Sequence, residues 1–530
     1  MFCRPAAPRV EAATTRPMSG VSAEGMARPG SFVPPDTFTF LHVTHQLSRV
    51  GWDSAAIPRL WRYQLHYFDG LLAPSLSEGD AIEWVARWIR ENPLEGPGRG
   101  GTAWEPYPTS LRIVNWIRWH WHCRASGGVG LGVSAVSSLA QQAAWLSKRL
   151  EHHLLGNHLW ANAKALLFAG VFLDAPEATR WRATGARLLL RELVEQTLSD
   201  GGHFELSPMY HAVFTEDVLD LLALSKAYPD MVAGELVSAL RARVPGLLDF
   251  LRALTHPDGL PGQFNDTALG EGTNLAGLMA YAARLGFVEK VASAADSPVA
   301  VRLWPDSGYA RLVAGGAGGA VVLADVGRAG PDYIPGHAHA DALSFEMSLG
   351  GRRLFVNGGT STYEACAERL RQRGTSAHNT VCLDGADSSE VWSSFRLGRR
   401  VKEVHASFDA DDSAGSLTGS FLGFHVLGRP VRHQRTWSLK PGELVIDDQL
   451  DGQFKTAEAR LHVAPGWIVR QAGFGVELVS DELCVQVSTT GVLSLERSIW
   501  ARGFGENIAI DVISIRFTGK KCRCVVRWNA

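Results

Sequence analysis

The chain has 530 residues, 46% of them hydrophobic and 20% charged, with a formal net charge of −2. That length exceeds one ordinary core and calls for roughly two or three domains, while the near-zero charge supplies no bulk field for gripping nucleic acid, so an anionic ligand must be held by a local cluster. No apolar run is long enough to span a membrane, and seven scattered cysteines without a CxxC pair imply no disulfide framework.

Residues 1–38 read as a disordered leader, because their Arg, Pro, Ser and Ala contain no apolar h-region of a secretory signal. From 39 to 300 the periodicity is helical. Leu60–Phe68 opens the first strongly apolar segment, and Ile82, Trp84, Val85, Trp88 and Ile89 fall at helical spacing. A Gly/Pro-rich loop at 96–108 precedes a helix from Leu111. Further helices are expected at 132–153, 158–173, 177–199, 209–227, 233–254 and 273–286. A long helical series without intervening strands, and without a fixed repeat length, points to stacked hairpins closed as an (α/α) toroid.

The texture changes near 300. Short alternating runs follow at Tyr309–Val313, Ala320–Ala324, Leu343–Leu349, Leu354–Val356, Asn379–Leu383, Val401–Phe408, Gly428–Leu439 and Leu444–Asp448, continuing to Val525–Trp528. Many short strands with Gly, Asp and Pro-Gly turns between them indicate an antiparallel β-sandwich over 301–530. Gly350 and Gly351 read as a hairpin turn between two of these strands.

The stretch GHAHADALSF at 336–345 carries His337, His339 and Asp341 at spacings of two. If the strand begins at the motif, all three project from one face, which suits a metal or proton transfer. Three other stretches stand out. In GNHLWANAKALLFAG, Asn157 sits at a helix start with His158 beside it. In GGHFELSPMYH, Ser207 is a natural N-cap and Pro208 a natural first helical residue. Tyr210 and His211 then fall near the positive end of the helix dipole. In RLRQRGTSAHNTVCLDG, three arginines in five residues offer bidentate grips for carboxylates or sulfates, Arg371 and Arg373 among them. Each feature alone has a plainer reading as a cap, a packed ring or a solvated charge run.

Together, and in this order, these four stretches resemble the heparinase II/III and alginate-lyase superfamily of polysaccharide lyases over about residues 50–520. The resemblance implies a toroid followed by a sandwich, and β-elimination in an anionic uronic-acid polysaccharide. It implies that Asn157 and His158 hold the uronate carboxylate, that Tyr210 protonates the leaving oxygen, and that His337 is a base, with His211 a substrate contact or an orienter of Tyr210. Removing a proton beside a carboxylate builds up negative charge, so those roles answer a definite difficulty. A base with the histidine reference value of about 6.5 suits neutral pH.

The resemblance further implies a structural zinc at the positions of His339, Asn357 and His378, although an asparagine amide is a weaker zinc ligand than the family's aspartate. Tyr363 is a candidate second tyrosine. A bacterial periplasmic location is the family expectation. The 17 tryptophans offer core packing first and sugar-stacking platforms second. Two rival readings are a polysaccharide-binding or assembly protein without turnover and a metal-dependent hydrolase. Against the second, Ala342 stands where the HxHxDH pattern of metallo-β-lactamases has a histidine.

Overall fold

The computed structural model describes residues 13–18, 25–95, 101–271, 274–287, 299–315, 319–480 and 483–529. Two compact units emerge, Met1–Gln196 with Phe214–Pro245 and Ala280–Phe287, and Thr197–Val213 with Gly246–Met279 and Val288–Ala530. A single division near residue 300 therefore does not separate them: two earlier segments, one carrying Tyr210, belong with the strands.

In the first unit, Ser77 caps the helix Glu78–Glu91 by accepting the Asp80 N–H at 3.2 Å, and the helix buries Trp84, Val85 and Trp88. Pro106–Ala125, Val133–Leu146, Gly156–Phe172 and Ala178–Gln196 follow. The last two approach closely. A Cβ on Gly185 would stand 2.7 Å from the Ala163 carbonyl oxygen, so only glycine fits there. The helix expected over 132–153 ends at Leu146, and the chain beyond it is fastened by Asn162, which accepts the Glu151 N–H at 2.8 Å. Lys164, inside the GNHLW helix, is buried in ion pairs with Asp217 at 2.5 Å and Asp220 at 2.7 Å.

The segment read as a leader is ordered wherever it is described; residues 1–12 and 19–24 of it lie outside the described residues. Thr14–Thr15 pairs with Leu173–Asp174, and Phe32–Val33 joins Thr37–Phe40 and Val43–Gln46 in a three-stranded sheet. Phe38 is buried there against Phe32 and Trp84, burial that its apolar ring makes favourable. Among the described residues no helix is long and apolar enough to cross a membrane.

The second unit contains antiparallel sheets of five, four and eight strands. The five-stranded sheet runs in the order Arg352–Phe355, Phe345–Leu349, Ala320–Asp325, Tyr309–Ala314, Val299–Trp304. Gly350 and Gly351 take φ of 55° and 82° and join its first two strands, as the sequence predicts. Apolar residues of all three sheets, including Phe345, Leu461 and Trp437, share one core. Every side chain of Phe345–Leu349 is buried, even Glu346. Its carboxylate is satisfied by His256 at 3.0 Å, Arg353 at 3.2 Å and the Asn357 N–H at 2.8 Å.

Arg435, on the strand Val431–Lys440, ties this core to the motif loop. It pairs with Asp448 at 2.7 and 2.9 Å and donates to the carbonyls of Leu343 at 3.0 Å and Asn379 at 2.6 Å. Burial alone would raise the Asp448 carboxyl, but Arg435 and His433 outweigh it and hold the group far below the ordinary carboxylate range. The stability this contributes is present above the unfolded value of about 4 and declines as pH falls toward the folded value. Urea unfolding as a function of pH checks this: Asp448→Asn should be weaker by about 3 kcal/mol at neutral pH and lose less on acidification below about pH 4 than the parent chain.

Candidate active site

The GHAHAD motif does not begin a strand. Pro335–His337 forms a short 3-10 turn, and the strand starts only at Phe345. Leu343 takes φ of 58°, and the Ser344 N–H closes a turn on the Asp341 carbonyl at 2.9 Å. A loop rather than an alternating strand therefore aims the motif side chains. His337 and His339 nevertheless converge, on a carboxylate the sequence did not single out.

That carboxylate is Asp266. His337 Nδ1 lies 2.9 Å from its Oδ2, and His339 Nε2 lies 2.9 Å from its Oδ1. Arg369 forks onto the same two oxygens at 2.5 and 2.7 Å, fully buried. Burial opposes ionisation of Asp266, but Arg369 and the two imidazoles hold its carboxyl well below the usual range. An ionised Asp266 accepts only, so each histidine must present N–H to it. The proton of His337 thus sits on Nδ1, leaving Nε2 as the basic nitrogen. Glu205 Oε2 is 3.9 Å from that Nε2.

Tyr210 lies in the first turn of the helix Pro208–Ala227, where the sequence places it. Ser207 caps this turn by accepting the Tyr210 N–H at 3.4 Å, and its hydroxyl donates to the Asp266 carbonyl at 2.9 Å. The cap thus joins the helix start to the carboxylate loop. The Tyr210 ring packs against His337 at 4.0 Å between centroids, tilted by 33°, and its hydroxyl is 3.1 Å from that of Tyr363. Burial, and then Asp266, push the Tyr363 phenol well above its ordinary range, so Tyr363 stays a neutral hydrogen-bonding partner.

The other expected residues fall in different surroundings. His211 is buried against Phe250 and bonds the Leu247 carbonyl at 2.8 Å; burial pushes its imidazole down to about 4. Asn157 and His158 belong to the first unit, on the helix Gly156–Phe172. There His158 Nδ1 is 3.1 Å from Glu151 and its ring lies 4.5 Å from that of Tyr107.

The two arginines read as substrate contacts are engaged with the protein itself. Arg371 forks onto Glu368 at 2.7 and 2.8 Å. Arg373 is buried and spends its guanidinium on the carbonyls of Ala338, Ser393 and Arg396. Arg369, the first arginine of the same run, is the one bound to the site carboxylate. On the helix Ala367–Arg373, positions 369 and 373 share the buried face while 371 points away. That spacing was the available signal.

Asn357 is not placed as a metal ligand. Its amide oxygen accepts the Asn379 N–H at 3.1 Å and its nitrogen donates to Ser344 at 3.4 Å. The carboxylate beside the histidines is Asp341 instead: ligand atoms of His339, Asp341 and His378 lie within 4.8 Å of one another. His339 Nδ1 and His378 Nε2 are 3.3 Å apart. Two Zn–N bonds of about 2.0–2.1 Å at a tetrahedral angle span about that distance. Burial pushes the Asp341 carboxyl up to about 6, a strain that a bound cation would relieve.

Family models match both halves of the chain. The model described as heparinase II/III N-terminus matches residues 45–284, and the heparinase II/III-like C-terminal model matches 297–529. The chain belongs to the heparinase II/III-like family. Among curated proteins it is 26% identical over 254 residues to a heparin-sulfate lyase of Bacteroides stercoris, covering 46% of this chain and 38% of the relative. It is 27% identical over 351 residues to a heparin-sulfate lyase of Pedobacter heparinus, covering 61% and 52%. The chain thus spans about half or less of the length of these relatives. A crystal structure of heparinase III superposes with a TM-score of 0.69 at 19% identity, over 88% of this chain and 76% of that one. A heparan sulfate lyase mutant from Pedobacter heparinus gives 0.63 at 17%, over 93% and 81%.

Removing either partner of the Asp266–Arg369 pair strands a buried charge. Asp266→Asn and Arg369→Met should each cost about 3 kcal/mol in chemical denaturation, and the double variant should cost clearly less than the two singles together.

Proposed function

We propose that this chain is a polysaccharide lyase that cleaves a uronic-acid-containing polysaccharide of the glycosaminoglycan type by β-elimination. One observation carries the reading: an ionised carboxylate fixes the His337 proton on Nδ1, which leaves Nε2 basic beside a packed tyrosine whose hydroxyl has a second phenol at 3.1 Å. In the proposed reaction His337 Nε2 takes the C5 proton. The C5–H electron pair becomes the C4–C5 double bond, the C4–O4 bond breaks, and Tyr210 donates its proton to the departing O4. Tyr363 donates a hydrogen bond that steadies the Tyr210 oxygen once it has lost that proton. His211, turned to a backbone carbonyl, takes the role of fixing the helix start rather than touching substrate. Asn157 and His158 keep the part the GNHLW motif gives them, drawing charge from the uronate carboxylate.

The names of the curated relatives and the rarity of a paired base and phenol in a pure binding protein favour turnover over polysaccharide binding alone. The same reading extends to architecture, with the helices from Glu78 to Ala253 forming an (α/α) toroid and the antiparallel sheets a sandwich, supported by a helix series interrupted by the two-residue strand Leu173–Asp174 and by the shared strand core.

His339, His378 and Asp341 fit a structural zinc, which would brace the motif loop from the side away from the base. Metal content by mass spectrometry should then give about one zinc per chain. A chelator should lower the melting temperature of the parent chain and leave Asp341→Asn, already depleted of metal, largely unmoved.

The lyase reading is tested by absorbance during incubation with heparan sulfate, unsulfated heparosan, hyaluronan and alginate. Elimination leaves a double bond conjugated to the uronate carboxylate; hydrolysis leaves reducing ends without it. A rising signal that falls at least about 100-fold in both Tyr210→Phe and His337→Ala is expected. Reducing ends without absorbance would establish hydrolysis instead.

A further inference from the structure

Arg369 and Arg373 spend much of their donor capacity on one short turn. The strands Glu390–Ser393 and Arg396–Gly398 form a hairpin with Ser394 and Phe395 at its tip. Arg369 Nε and Nη2 donate to the Ser394 carbonyl at 3.1 and 2.9 Å. Arg373 Nη1 donates to the carbonyls of Ser393 at 2.5 Å and Arg396 at 3.2 Å. Two buried cations are thus committed to three carbonyls within one four-residue stretch, a costly arrangement for a loop that only closes a hairpin.

What the turn presents explains the expense. Phe395 is 43% exposed at the tip, and Trp392 on the same hairpin is exposed as well. Its ring stands 6.1 Å from His337, edge to face, and 5.3 Å from Tyr363. It thereby borders both the base and the tyrosine pair, and it has no core to fill.

We propose that Phe395 is the sugar-stacking wall of the active site: the apolar C–H face of a substrate pyranose lies against its ring, and Arg369 and Arg373 act as positioning residues that hold this wall in register with His337. The inference rests on the polysaccharide reading and adds a specificity-determining contact to it. Arg369 serves two ends at once, since one edge of its guanidinium grips Asp266 and the other the Ser394 carbonyl. The base and the wall are therefore set from a single rigid group.

Stacking is made in ground state and transition state alike, so it should appear in KM more than in kcat. The experiment compares the parent chain, Phe395→Ala and Phe395→Trp in steady-state absorbance assays. In parallel it measures affinity for size-defined heparosan, hyaluronan and alginate oligosaccharides by calorimetry. Phe395→Ala should raise KM and Kd about tenfold with a much smaller change in kcat, and Phe395→Trp should restore most of the loss. Unchanged KM and Kd in Phe395→Ala overturn the proposal while leaving the lyase reading intact. A fall in kcat alone also overturns it, since the ring would then serve His337 rather than sugar. If the parent chain binds oligosaccharide without producing absorbance, and Phe395→Ala weakens that binding, the lyase reading fails and the wall stands. If the parent chain neither turns over nor binds any of the oligosaccharides, both fall.

Discussion

One buried ion pair organises the second unit. Asp266 and Arg369 meet through two hydrogen bonds with no water contact, and each is kept in its charged form by the other. Such a pair adds little net stability over apolar residues of similar shape, because desolvation consumes most of the attraction. Its value lies in geometry. A carboxylate that cannot rotate and cannot be protonated offers two fixed lone-pair directions, and His337 and His339 each take one. The tautomers of both rings follow, and with them which nitrogen is left free of the carboxylate, Nε2 in His337 and Nδ1 in His339.

The surrounding fold supplies the means to hold that pair dry. The loop bearing Asp266 is fastened on one side by the Ser207 cap, which links it to the start of the Tyr210 helix. Gln263, three residues earlier, is gripped through its amide by Trp500 at 2.6 Å and donates to the Arg502 carbonyl at 3.1 Å. Arg435 fixes the motif loop from the strand core below. None of these contacts is chemistry, yet each removes a degree of freedom from a group that is.

Much of this was legible in the sequence, and the reasons differ by residue. The helix Pro208–Ala227 announces itself through its start, since Ser207 and Pro208 favour a helix start in any context, whereas Gly156–Phe172 begins after Leu155 without a side-chain cap and is marked by its apolar run. The Gly350–Gly351 turn is legible because two successive left-handed residues require glycine. The motif loop misled because alternation alone cannot separate a strand from a loop whose residues are packed on every side. Asp266 was illegible for a related reason. It lies some seventy residues from its histidine partners and a hundred from Arg369, in a loop without regular period, and only tertiary contact reveals it. Asn357 was expected as a ligand by its place in the motif, whereas the turn at Leu343 brings Asp341 to the histidines instead.

The arginine clamp holds the hairpin tip at Ser393–Arg396 through main-chain carbonyls. Its grip is therefore indifferent to which side chain occupies the tip. The main-chain grip on the tip does not pass through the Phe395 ring, so an exchange at 395 keeps the arginine clamp and gives up only the ring's contacts with Arg369, His337 and Tyr363. The fold in this way separates a clamp built on backbone from a tip position whose side chain can change the surface offered to a ligand while the clamp stays in place.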